Sequence, residues 1–193
     1  MILIVTEGEK TEPLYFECFP IRTTKVTRII GTGRNTDSLV RETDKELEKA
    51  KKWYFREYGI GLKDNDIVVW CVFDKDSFRA DQFDNAIESA RAKGYHIAYS
   101  NEAFELWYLL HYAYYNTATT RDQFKRLLTG YLTWPYSKND PKMYQVLKHR
   151  QADAIRNARN LLALYDPHHP SRDNPSTTVF ELVEYLNQFI KDV

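Results

Sequence analysis

Four short strand-like runs alternate with amphipathic stretches over the first hundred residues. Ile2-Leu3-Ile4-Val5 is the first run. Lys25 to Ile30 is the second, followed by the turn Gly31-Thr32-Gly33-Arg34-Asn35. Ile67 to Phe73 is the third and most apolar, and Tyr95 to Tyr99 the fourth. The third run is apolar enough to predict a strand buried on both faces, as in the middle of a parallel sheet. Between them lie three predicted helices. Thr11 is placed to cap the first, with Pro13 in its opening turn and Leu14, Tyr15, Phe16 and Phe19 on its apolar side. The second is a long charged helix from about Asp37 to Tyr58, with Leu39, Val40, Leu47 and Ala50 as a thin stripe and Gly59 and Gly61 ending it. The third carries Phe83, Ala86, Ile87 and Ala90 at i, i+3, i+4, i+7. This β-α-β-α-β-α-β order predicts an α/β fold with a parallel sheet flanked by helices.

Beyond Ser100 the pattern changes. A strongly apolar helix is expected over 103–115, and further helices at 121–129, 141–149, 152–165 and 177–191, with no clear strand. Turns rich in Pro, Asn and Asp separate them, notably Thr133-Trp134-Pro135 and Asp166-Pro167-His168-His169-Pro170. The expected organisation is a core at 1–100 and a helical C-terminal elaboration at 101–193, packed together as one domain. The 193 residues fit that size.

Composition narrows the class. Hydrophobic residues make up 43%, enough for a core, and the formal net charge is zero. Bulk charge therefore gives no argument for nucleic-acid binding, although local patches still could. Cys18 and Cys71 lie in apolar surroundings and read as buried free thiols, which suits a reducing compartment. The chain opens on a strand-like run, and no apolar run is long enough to span a bilayer. A cytoplasmic protein without a membrane partner is expected.

The chemistry gathers at the strand ends. The third run stops at Asp74-Lys75-Asp76, two carboxylates that would point the same way if the strand continued. Ligands of parallel sheets bind outside the carboxyl ends of the strands. Glu7, just past the first strand, would join them at the same edge. Three converging carboxylates repel one another unless a cation is present. Their oxygen ligands suit Mg²⁺ or Mn²⁺. Exposed turn residues and helix caps would leave the same pattern in sequence. Lys10, close to Glu7, is a candidate for phosphate charge. From Lys142 to Asn160, five basic residues (Lys142, Lys148, Arg150, Arg156 and Arg159) stand against Asp153 alone, a local charge of +4. With Tyr131 and Tyr144 nearby, that stretch could hold a nucleic-acid strand or simply form a solvated helix face. His168 and His169 read as an exposed turn, not a zinc pair, because no partner stands at ligand spacing.

Four stretches in order resemble the RloB family: Glu7-Gly8-Glu9-Lys10-Thr11-Glu12-Pro13 with Tyr15-Phe16; Trp70 to Asp76; Ser100 to His111; and Asn174 to Val179. The resemblance covers essentially the whole chain. It implies a Toprim-like (Rossmann-like) core related to OLD-type nucleases, in which Glu7 is metal ligand or general acid/base and Asp74 and Asp76 are metal ligands. It further implies Glu12 and Glu105 as ligands of a second metal, and Lys138 as the cation for charge on the phosphate. Glu12 lies one position late for the OLD-type pattern. Glu102 stands where that pattern has Pro, which leaves the choice between Glu102 and Glu105 open. The expected activity is metal-dependent hydrolysis of DNA or RNA, tRNA among the candidates, in anti-phage or abortive-infection defence. An ATPase from the same locus and a second copy of the chain are the expected partners.

Two other readings compete. One is a non-catalytic sensor or docking module beside an ATPase. The other is a DxD-type phosphatase with Asp74 as nucleophile, although Phe78 stands where that motif wants Thr or Val. An EF-hand starting at Asp74 fails at Arg79 and Asn85.

Overall fold

A computed structural model of the chain describes residues 1–22, 27–33, 36–76 and 78–190. Lys25 and Val26 of the expected second strand, and Arg34 and Asn35 of the turn after it, lie outside the described residues.

The alternating pattern folds as an α/β sheet. Strands β1 (Ile2–Thr6), β2 (Thr27–Gly31), β3 (Val68–Asp74), β4 (His96–Asn101) and β5 (Ser176–Thr177) form one sheet in the order β2-β1-β3-β4-β5. The first four are mutually parallel, and β5 is antiparallel to β4. Interleaved with the first four are α1 (Thr11–Phe16), α2 (Thr36–Tyr58) and α3 (Ala80–Ala92). Then come α4 (Glu105–Leu110), α5 (Arg121–Tyr131), α6 (Met143–Leu147), α7 (Gln151–Leu162) and α8 (Val179–Asn187). None of the helices among the described residues is long and apolar enough to cross a membrane.

Both faces are dry at the centre of the sheet, which is why β1 and β3 carry no polar alternation, whereas the edge strand β2 carries Arg28 and is only half-buried. Successive strand residues point to opposite faces. Leu3, Val5, Val69, Cys71, Phe73, Ile97 and Tyr99 pack against α2 and α3, through Leu39, Val40, Phe83 and Ile87. Ile2, Ile4, Trp70, Val72 and Ala98 face the other way, into a larger core shared by α1 and all the helices after Ser100. The C-terminal half is thus the second helical layer of the sheet.

Several expectations are refined. The β5 strand was not legible because two residues, Ser176 and Thr177, cannot display a period. It exists because it pairs with Ser100 and Asn101 at the sheet's rim. Helix α4 is shorter than expected, since every residue from Ala103 to His111 is buried and periodicity could not mark its ends. Its last turn is closed by Asn157, whose Nδ2 donates to Leu110 O at 2.8 Å. Cys71 is buried, and burial pushes its thiol up to about 11. Cys18 is only half-buried and donates to Leu14 O. Thr11 does not cap α1; it is the helix's first residue, and its hydroxyl is used elsewhere.

One aromatic cluster fixes α1 against α4. Tyr15 lies 5.9 Å from Phe104 and 5.6 Å from Tyr108, and Phe19 lies 4.8 Å from Tyr144, ring centre to ring centre. Such pairs contribute about 0.5–1.5 kcal/mol each beyond the area they bury. They hold in place the two short helices that carry Glu12 and Glu105.

Candidate active site

The carboxyl ends of β1 and β3 are neighbours in register, with Thr6 opposite Val72. One residue further on, the Glu7 amide donates to Val72 O at 2.9 Å, and the Asp74 amide donates to Glu7 Oε2 at 3.3 Å. Asp74 shares the parity of Trp70 and Val72, so it belongs to the face covered by α1 and α4 and is only 7% exposed. Asp76 follows a different rule. The strand has ended, and Asp76 sits in the left-handed region at φ +41°. Its amide donates to Glu102 O at 2.9 Å, next to a cis Asn101–Glu102 peptide. A turn braced by β4, and not strand periodicity, therefore brings the second aspartate to the first.

Glu7, Glu9, Glu12, Asp74 and Asp76 line one cavity of about 320 Å³, together with Gly8, Gly33, Phe78, Arg121 and Lys138. The loop after β1 passes so close to its surroundings that glycine is needed. A Cβ on Gly8 would come 2.7 Å from Glu12 Cδ, and one on Gly31 would come 2.7 Å from the Glu9 carbonyl oxygen. Lys138 reaches the cavity because Thr11 Oγ1 donates to its carbonyl oxygen at 2.7 Å. Lys10 is exposed ahead of α1 and is not among the lining residues.

Behind the cavity the carboxylates are buried. Glu12 is 4% exposed, and its Oε2 is buried without a hydrogen-bond partner. Glu105 is 1% exposed and accepts the Tyr136 hydroxyl at 3.2 Å. It is thus Glu105, and not the partly exposed Glu102, that stands with Asp74 and Glu12. Burial raises the Asp74 carboxyl well above its ordinary range, with repulsion from Glu12, Glu105 and Glu7 adding to it. Glu12 is raised by burial and by Glu105, opposed by its backbone hydrogen bonds and by Lys138.

Arg121, at the start of α5, was not singled out from the sequence. Its Nη2 lies 3.0 Å from Asp76 Oδ2 and 3.9 Å from Asp74 Oδ2. Burial pulls its guanidinium down, but Asp76, Asp74, Glu105 and Glu102 outweigh that and raise it. Among the described residues no three Asp, Glu, His or Cys side chains are already arranged to hold a metal. The donor chemistry nevertheless fits a hard cation. All the acidic ligands are oxygens, the orphaned Glu12 Oε2 needs a partner, and five cavity carboxylates face two cations.

The family model described as RloB-like protein matches residues 2–186, the whole span that builds the sheet and this cavity. The chain belongs to the RloB-like family. No curated protein and no solved structure matches it at a significant level.

In this RloB-like chain the basic stretch after Lys142 divides. Arg156 pairs with Asp153 at 2.5 Å, and Arg159 pairs with Glu184 at 2.6 Å while lying over Phe180. Tyr144 is buried in the aromatic cluster, so it offers no stacking face. Lys148 and Arg150 stand exposed in a 3-10 turn before α7. Arg150 lies 5.4 Å over the Tyr112 ring, which stacks on Tyr131 at 5.0 Å and 11°. His168 is held between the Tyr99 hydroxyl and the Asp173 carboxylate, while His169 is exposed. A larger cavity of about 650 Å³, lined by Lys49, Lys52, Phe55, Arg56 and Leu62, lies where α2 ends and the chain enters β3. That is the amino edge of the sheet, away from the carboxylates.

Proposed function

We propose that this RloB-like protein is a Mg²⁺- or Mn²⁺-dependent nuclease that hydrolyses phosphodiester bonds of DNA or RNA in anti-phage defence. The observation that carries the reading is the convergence of Glu7, Asp74 and Asp76, from two adjacent parallel strands, on a cavity that also holds Lys138. A glutamate after the first strand and an Asp-x-Asp after β3 support a Toprim-like core.

Glu7, Asp74 and Asp76 would hold one divalent cation, and Glu12 and Glu105 would supply oxygens for a second. When bound, such ions supply Lewis acidity at the phosphate and lower the pKa of a bound water. Glu7 would serve either as one of these ligands or as the group that moves a proton at the attacking or leaving oxygen. Lys138 presents its ammonium to charge that builds on the phosphate. The Arg150, Tyr112 and Tyr131 stack with Lys148 provides charge and a ring face for a strand. Action beside an ATPase, and pairing of two copies, accord with the family reading.

One observation favours a second reading, a non-catalytic docking module. Arg121 already bridges Asp74 and Asp76, which a purely structural cluster would also require.

Plasmid DNA, single-stranded DNA, bulk RNA and tRNA incubated with the protein and Mg²⁺, Mn²⁺ or EDTA distinguish the two. Cleavage that needs the metal and disappears in the Asp74→Asn/Asp76→Asn protein supports the nuclease and identifies its substrate. Unchanged cleavage by that variant would contradict the assignment. No cleavage together with no metal binding would leave the docking module as the better account.

A further inference from the structure

Local rules disfavour Arg121 where it stands. It is the first residue of α5, and a cation in the first turn of a helix opposes the positive end of the helix dipole. The helix start does not depend on it. Thr120 and Gln123 form a capping box, and Phe124 and Leu128 anchor the helix in the core with no exposure. What holds the guanidinium is therefore tertiary: Asp76 at 3.0 Å and Asp74 at 3.9 Å.

The pairing is incomplete in a telling way. A guanidinium can grip a carboxylate through two parallel N–H bonds. Here both contacts run through Nη2, and Nε is buried without a hydrogen-bond partner. The side chain is 30% exposed and lines the cavity, so it faces both the aspartates and any anion that enters. Its backbone is fixed, while its flexible stem permits the head to turn.

We propose that Arg121 is the resident counter-cation of the carboxylate cluster: it holds Asp74 and Asp76 in the metal-free protein, competes with a divalent cation for them, and transfers to phosphate when nucleic acid enters. This rests on the metal-site reading above. Arg121 thereby couples the two ligands. An anion that draws the guanidinium away frees the aspartates, and a cation that takes the aspartates frees the guanidinium. Such coupling is reciprocal, so each raises the other's affinity. The device would keep a nuclease poorly loaded with metal until substrate is present.

The test is calorimetric titration of Mn²⁺ into the full chain, as wild type, Arg121→Gln and Arg121→Lys, with melting curves in EDTA and in Mn²⁺. The expected result is Mn²⁺ binding about tenfold tighter in Arg121→Gln, a difference worth about 1.4 kcal/mol. Arg121→Lys, which keeps the charge without the fork, should fall between. Arg121→Gln should melt lower than wild type in EDTA and recover in Mn²⁺. Equal or weaker Mn²⁺ binding by Arg121→Gln would overturn the proposal and make Arg121 a residue that orients the aspartates. An unchanged melting temperature in EDTA would also overturn it. Should Arg121→Gln not fold, Arg121→Lys decides by the same affinity comparison. If all three proteins melt normally and none binds Mn²⁺, the metal reading itself fails and takes this proposal with it.

Discussion

The hydroxyl of Thr11 donates to the carbonyl oxygen of Lys138 at 2.7 Å, across 127 residues of chain. This single bond ties the loop before α6 to the first turn of α1, and so sets a lysine opposite the glutamates. Thr11 is buried, and its oxygen also lies 3.3 Å from Asn139 Oδ1. Replacing Thr11 by Val keeps the shape and removes the donor. The variant should lose about 1 kcal/mol of stability, read from the denaturant midpoint. Its metal-dependent cleavage should fall by more than that loss explains, because Lys138 is no longer held over the cavity. Unaltered cleavage would remove Lys138 from the mechanism.

His111 gives the protein an acid limit. Burial pulls its imidazole down to about 4, against hydrogen bonds to the Trp107 and Tyr108 backbone that favour the charged form. Its Nδ1 lies 2.8 Å from Trp107 O, and Nε2, where a proton would have to add, is buried without a partner. Between the ordinary value of 6.5 and about 4 the unfolded chain binds the extra proton and the folded chain does not. Stability contributed by the neutral ring is thus complete above pH 6.5 and falls as pH drops through this window. The loss should be on the order of 3 kcal/mol by pH 4. Melting curves from pH 7 to pH 4 should show a slope that His111→Gln flattens.

Much of the architecture could be read directly from the chain, for a physical reason. Strands buried on both faces must be apolar throughout, and α3 must show Phe83, Ala86, Ile87 and Ala90 on one side. The position of Glu7 beside Asp74 follows from parallel pairing alone. The rest depended on tertiary contacts that no local pattern encodes. Asp76 reaches Asp74 through a turn held by Glu102 O, although strand periodicity suggested the same outcome for another reason. Arg121 lies 45 residues beyond Asp76, at the start of an ordinary polar helix, and nothing around it in sequence marks it out. Tyr144 looked available for stacking because periodicity in a five-residue helix cannot tell which side is buried.

Arg150 lies over the Tyr112–Tyr131 stack and Lys148 is exposed two residues before it, whereas Arg156 and Arg159 already have acidic partners. The two groups should therefore behave differently. Lys148→Glu with Arg150→Glu should weaken binding to a fluorescent single-stranded oligonucleotide by about tenfold or more and reduce its salt dependence. Arg156→Gln with Arg159→Gln should change binding far less. Anisotropy titrations at two salt concentrations check both. The reverse ranking would move the nucleic-acid face onto α7.

The central claim is that Glu7, Asp74 and Asp76 hold a divalent cation, and the most direct measurement is an electron paramagnetic resonance titration of free Mn²⁺. Wild-type protein should deplete the free Mn²⁺ signal at a fixed stoichiometry, and excess Mg²⁺ should restore it. Asp74→Asn/Asp76→Asn, shown by its melting curve to be folded, should deplete the signal by at least one Mn²⁺ equivalent less than the wild type. Depletion that persists undiminished in the folded double variant would place the metal elsewhere. No depletion by the wild type, with or without a nucleic-acid strand present, would contradict the account.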